Sequence, residues 1–77
     1  MNKIRKISTG LDLKNSISYT VDGKSSKGTI HEIIFDNDMW FDIYTIEENV
    51  VQLWKKINKN MVIAIEFDND VKFESLN

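Results

Sequence analysis

A chain of 77 residues without a single cysteine must hold itself together by apolar packing alone. No disulfide can restrict its unfolded state, and no thiolate can attack a substrate or hold zinc or an iron–sulfur cluster. A domain of this size buries only about 60% of the surface its unfolded chain exposes, so its core is small. Chains in this position gain stability from a metal or from association with a copy of themselves. Self-association is therefore expected. The length leaves room for one domain, residues 1–77, and an apolar content of 42% is that of a folded chain rather than a disordered one.

Alternation carries most of the local structure. Lys3 to Ile7 is a short basic stretch that Gly10 ends, with Leu11 and Leu13 beyond it. Ser16 to Asp22 alternates Ile17, Tyr19 and Val21 with polar neighbours, the pattern of a half-buried antiparallel strand. Gly23 to Gly28 reads as a flexible connector. Thr29 to Phe35 resumes as a strand with apolar side chains on both faces, Asp36-Asn37-Asp38 turns, and Met39 to Tyr44 returns, which predicts a hairpin. In the returning strand Met39, Phe41 and Ile43 share one face, and Trp40, Asp42 and Tyr44 share the other.

Thr45-Ile46-Glu47-Glu48 then has the spacing of a capping box, in which the Thr45 hydroxyl accepts from the Glu48 N–H and the Glu48 carboxylate from the Thr45 N–H. Ile46, Val50, Leu53, Trp54 and Ile57 follow at offsets 0, 4, 7, 8 and 11, an apolar stripe at helical period. Glu47 and Glu48 at its start and Lys55, Lys56 and Lys59 at its end suit a helix dipole. The spacing predicts an amphipathic helix over residues 46–58. Met61 to Phe67 alternates again, Asp68-Asn69-Asp70 turns, Val71 to Phe73 makes a short last strand, and Glu74 to Asn77 is expected to fray. The predicted fold class is α+β: an antiparallel or mixed sheet of five to six short strands with one amphipathic helix, in the order β-β-β-β-α-β-β. The pattern Phe-Asp-Asn-Asp-x-x-Phe occurs at Phe35–Phe41 and again at Phe67–Phe73, and reads as one turn chemistry used twice.

Few chemistries remain open. An EF-hand loop needs Gly at its sixth position, and counting from Asp36 or Asp68 that position is Phe41 or Phe73. Gly23-Lys24-Ser25 ends like a phosphate-binding loop, but the upstream Gly that the loop requires is replaced by Ser18. His31 is the sole imidazole and no nucleophile motif accompanies it. No enzyme, metal or cofactor is expected. No apolar run approaches the roughly 18 residues of a membrane span, and the basic opening has no apolar stretch behind it, so the expected location is the cytoplasm.

Binding is what the residues favour. Trp40 and Tyr44 around Asp42 form an amphipathic aromatic patch if their face looks outward. Asp36, Asp38, Asp68 and Asp70 add acidic turns that can stand in for phosphates against a protein that binds nucleic acid. The first expectation is therefore a non-catalytic protein that binds and inhibits another protein. Residues 1–27 carry six Lys/Arg and two Asp, and residues 28–77 carry four Lys and ten Asp/Glu. The basic part supports an alternative, a single-stranded nucleic-acid or nucleotide-binding β-barrel-like module in which Lys3, Arg5, Lys6, Lys24 and Lys27 line a groove and Tyr19, Trp40 or Tyr44 stacks on the bases. Duplex DNA is not expected of a chain whose pI is about 5.2.

Lys3-Ile4-Arg5-Lys6-Ile7, Leu11-Asp12-Leu13, Tyr44-Thr45 before an amphipathic helix, and Asn58-Lys59-Asn60 before Met61-Val62-Ile63-Ala64-Ile65-Glu66 together resemble the small YonK-type proteins of Bacillus phages. The resemblance implies an oligomeric accessory protein of a mobile element; the binding expectation then takes a host defence or replication factor as the target, in the host cytoplasm. It implies no site residues.

Overall fold

The computed structural model describes residues 3–68. Its strands are β1 (Ile4–Gly10), β2 (Ser16–Thr20), β3 (Lys24–Ser25), β4 (Gly28–Asp36), β5 (Trp40–Glu47), β6 (Val50–Asn58) and β7 (Val62–Phe67), with one 3-10 turn at Lys59–Met61. They form two antiparallel sheets, in the orders β2-β1-β7 and β3-β4-β5-β6. The fold is nearly all β, which corrects the predicted α+β class and its β-β-β-β-α-β-β order.

The helix predicted over residues 46–58 is absent. β5 runs on to Glu47, Glu48 and Asn49 turn the chain at φ 51° and 67°, and β6 returns along β5 from the pair Glu47–Val50 to the pair Trp40–Asn58. Two successive residues at positive φ make the two-residue hairpin turn whose twist matches that of the flanking strands. Val50 and Val51 then favour extended backbone. The helical spacing arises from a β-bulge: Ile43 faces Lys55 and Tyr44 faces Leu53, so Trp54 is an extra residue. The insertion shifts the phase of the alternation and lets Leu53, Trp54 and Ile57 imitate one helix face.

The predicted hairpin between Thr29 and Tyr44 is present as β4 and β5. Asn37 and Asp38 turn at φ 53° and 56°, and the Met39 N–H donates to the Asp36 carbonyl at 3.1 Å. The connector from Gly23 is tighter than expected, because β3 folds back on Gly28 and Thr29. Gly28 sits at φ 107°, and a Cβ there would lie 2.5 Å from the Ile46 carbonyl oxygen. β1 does not stop at Ile7 but continues through the buried Ser8 and Thr9, whose hydroxyls bond to Ser18 Oγ at 3.0 Å and the Ile17 carbonyl at 3.3 Å. Asn69, Asp70, the expected last strand at Val71–Phe73, the second Phe-Asp-Asn-Asp copy beyond Phe67 and Asp68, and the tail lie outside the described residues.

The core draws on both sheets. Ile7 and Tyr19 come from the three-stranded sheet, and Ile30, Ile33, Phe41 and Ile43 from the four-stranded one. Ile4, Val21, Trp54, Ile57 and Val62 pack around them. Two backbone bonds of 2.8 Å, from the Asp22 N–H to the Ile30 carbonyl and from the Ile30 N–H to the Gly23 carbonyl, hook the end of β2 onto β4. Trp54 meets Tyr19 edge-on at 5.9 Å, and the Lys55 ammonium lies 4.7 Å from the Trp54 ring centre and 5.4 Å from that of Tyr19. This cation–π cluster ties β2 to β6. Among the described residues no helix is long and apolar enough to cross a membrane.

Candidate functional site

Directly opposed residues of antiparallel strands share a face, so the register assigns each side chain of β4, β5 and β6 to one side of the sheet. The inner side carries the rows Phe35–Phe41–Ile57 and Ile33–Ile43–Lys55. The outer side carries Asp36–Trp40–Asn58, Ile34–Asp42–Lys56, Glu32–Tyr44–Leu53 and Thr29–Ile46–Val51. Six large apolar or aromatic side chains thus stand together on the face turned away from the core. Ile34, Leu53 and Val51 are exposed, at 41%, 46% and 48%. Trp40, Tyr44 and Ile46 are half-buried, and none of them packs against the core cluster.

A polar centre interrupts this apolar surface. Asp42 is only 5% exposed although it points outward, because its neighbours crowd it. The Lys56 ammonium donates to Asp42 Oδ1 at 2.8 Å and lies 4.0 Å from Asp36 Oδ2. The hydrogen bond to Asp42 holds the Lys56 pKa above its ordinary value, the charges of Asp42 and Asp36 add to this, and partial loss of hydration opposes it. A buried carboxylate without such a partner would be strongly destabilising, so the pair is what allows Asp42 to sit within an apolar face.

The predicted residues fall into three groups. Trp40, Asp42, Tyr44 and Asp36 come together on the outer face, and Asp38 stands exposed beside them at the β4–β5 turn. Asp68 follows β7, exposed, its N–H donating to the Lys3 carbonyl at 2.8 Å, and Asp70 lies outside the described residues. Of the nucleic-acid set, Lys3, Arg5 and Lys6 lie at or on β1, Lys24 on β3 and Lys27 in the turn after it. Lys6 is engaged with Glu66 at 3.6 Å. Tyr19, 9% exposed, packs its ring against Trp54 and Lys55 and accepts at its hydroxyl from the Lys55 ammonium at 3.4 Å, which withdraws it from base stacking.

Ile34 of β4, and Ile46, Val51, Leu53 and Lys56, escaped the reading of the sequence as site residues. The last four lie in the segment assigned to a helix. The signal that would have placed them is Glu48-Asn49 before Val50-Val51, a turn-prone residue ahead of a β-branched pair. His31 sits at a second bulge, on β4 between the pairs Ile30–Thr45 and Glu32–Tyr44, and is exposed. Compared with protein-family models, curated proteins and solved structures, the chain matches none of them.

Proposed function

We propose that the chain is a non-catalytic module that binds another protein through the outer face of β4, β5 and β6 and blocks that protein's nucleic-acid-binding surface. The observation that carries this reading is the clustering of Trp40, Tyr44, Ile34, Leu53, Ile46 and Val51 on a sheet face that no second layer covers among the described residues. Contiguous apolar patches rimmed by polar groups mark interaction sites, and buried aromatics anchor them. The rim supplies the choice of partner. Glu32, Asp36 and Asp38 border the patch toward its Trp40 end; of the cations on this side Lys56 is already neutralised by Asp42, and Lys24 stands at the far edge, opposite Thr29 on β3. The complement of such a surface is apolar at its centre and rich in Lys and Arg around it.

A second copy of the chain fits less well. Three strands about 4.8 Å apart and seven residues long present a face on the order of 300 Å². Two such faces would bury roughly 600 Å², well below the ~1,000 Å² expected of a stable interface. A larger partner can engage the face and the acidic turn together. The setting, a mobile-element accessory protein acting on a host defence or replication factor in the cytoplasm, rests on the resemblance of the basic opening and of the Met61–Glu66 strand. The amphipathic helix is no longer part of that resemblance.

The test is capture from host lysate by the immobilised full chain, followed by titration of the captured protein. The partner should be released by a single-stranded oligonucleotide that it binds in place of the chain. Trp40→Asp should weaken its binding about 30-fold, while Lys14→Ala, in the exposed turn between β1 and β2, leaves it unchanged. Direct binding of a labelled oligonucleotide to the chain at low salt would favour the nucleic-acid module instead. A partner that oligonucleotide does not displace, or a stable dimer in light scattering that Trp40→Asp splits, would overturn the reading.

A further inference from the structure

Resting on the binding face just described, we propose that the partner meets it with an extended segment carrying two arginines four residues apart, one received between Trp40 and Asp36 and the other between Tyr44 and Glu32. The register builds both stations. Trp40 lies directly opposite Asp36, and Tyr44 directly opposite Glu32, on the outer side of β4 and β5. Each station sets a half-buried aromatic ring beside a carboxylate across one strand spacing.

The row between the stations, Ile34–Asp42–Lys56, holds its own ion pair, with the Lys56 ammonium donating to Asp42 at 2.8 Å. Asp36 has longer contacts, 4.0 Å to Lys56 and 3.4 Å to the Asn37 side-chain amide, and a carboxylate offers about four acceptor sites. Glu32 is exposed. A ring next to such an acceptor suits arginine. The guanidinium is flat, stacks on an aromatic face and forks its donors onto a carboxylate, whereas the lysine ammonium is a compact, strongly hydrated point charge.

The distance between the stations selects the shape of the segment. Glu32 and Asp36 are four residues apart along β4, as are Trp40 and Tyr44 along β5, which is roughly 14 Å at about 3.4 Å per residue. An extended segment covers that distance between its positions i and i+4, and both side chains point to the same side. An α-helix needs about nine residues, or two and a half turns, which aims the two side chains in opposite directions. The residue at i+2 of the extended segment faces the same way as the arginines and meets the exposed Ile34, so an apolar side chain fits there. The ligand is therefore Arg-x-apolar-x-Arg in extended form.

Titration of the full chain with end-blocked peptides, followed by NMR at the two indole N–H signals, tests the proposal. Arg-Thr-Val-Thr-Arg should shift the Trp40 signal and leave that of Trp54 in place. It should bind about fivefold more tightly than Lys-Thr-Val-Thr-Lys, which keeps the charge and spacing, and than Arg-Arg-Thr-Val-Thr, which keeps the composition. Asp36→Asn and Glu32→Gln should each lower its affinity about fivefold. Glu66→Gln, the same loss of charge on the three-stranded sheet, should leave it unchanged. Equal affinities of the three peptides for the native chain would overturn the proposal without recourse to any variant. So would a Trp40 signal that does not move at peptide concentrations up to about 5 mM, or a loss with Glu66→Gln as large as with Asp36→Asn. The peptides stand in for the captured protein, so the stations can fail here while capture from lysate succeeds, and capture can fail while the stations hold.

Discussion

Thr45 is fully buried on the inner side of β5, and its hydroxyl has no hydrogen-bond partner. Read locally, the same residue opens a capping box with Glu48; in the fold its Oγ1 is closed in by the core and Glu48 is part of a turn. A buried hydroxyl without a partner costs about 1–3 kcal/mol of desolvation. Thr45→Val keeps the branched shape, suits a strand and removes that penalty. It should stabilise the chain by about 1 kcal/mol and raise Tm by roughly 4–8 °C in a thermal melt. A fall in Tm would mean that the hydroxyl finds a partner in solution. At this scale the sequence was informative wherever alternation was unbroken. Trp40, Asp42 and Tyr44 were assigned to one side of their strand and stand there. What alternation could not supply was the burial of Asp42, because its partner Lys56 comes from a segment read as helix.

The β5–β6 hairpin is where local and long-range preferences diverge. Thr45 to Ile57 satisfies a helix by cap, stripe and charge, and none of these signals contains the pairing with β5 that decides the outcome. One register aligns eight residues of β5 with β6, puts Ile57 beside Phe41 and carries Trp54 to Tyr19. The two readings give opposite signs for one substitution. Asn49 sits at φ 67°, where an L-residue with a Cβ and no local hydrogen bond is disfavoured by about 1–2 kcal/mol. In a helix, alanine would instead outrank asparagine by roughly 0.5 kcal/mol. Asn49→Ala should therefore lower the urea midpoint by the equivalent of about 1 kcal/mol, at unchanged slope. A raised midpoint would restore the helix. The β4–β5 hairpin was legible because two apolar-rich runs of strand length flank Asp36-Asn37-Asp38, which tolerates positive φ. The bulge at Trp54 is the reason its neighbour was not.

At the scale of the whole molecule, two small sheets enclose one core and leave one broad face uncovered among the described residues. A helix laid across the sheet would have hidden one side; with β6 in its place the sheet gains a strand, and its outer side gains Leu53, Val51 and Lys56. The partition between the two tryptophans follows from this. Trp54 closes the junction between the sheets with Tyr19, whereas Trp40 stands on the outer face opposite Asn58. Composition could exclude thiol chemistry and the α+β pattern could expose a Trp40/Tyr44 side, but only the register joins that side to Ile34, Leu53 and Val51 in one surface. The claim that this surface receives the partner is tested most directly by fluorine NMR of the full chain with both tryptophans replaced by 5-fluorotryptophan. On titration with the captured protein, the Trp40 resonance should shift or broaden while the Trp54 resonance keeps its position. A partner that binds without touching the Trp40 signal, or that moves the Trp54 signal alone, would contradict the account.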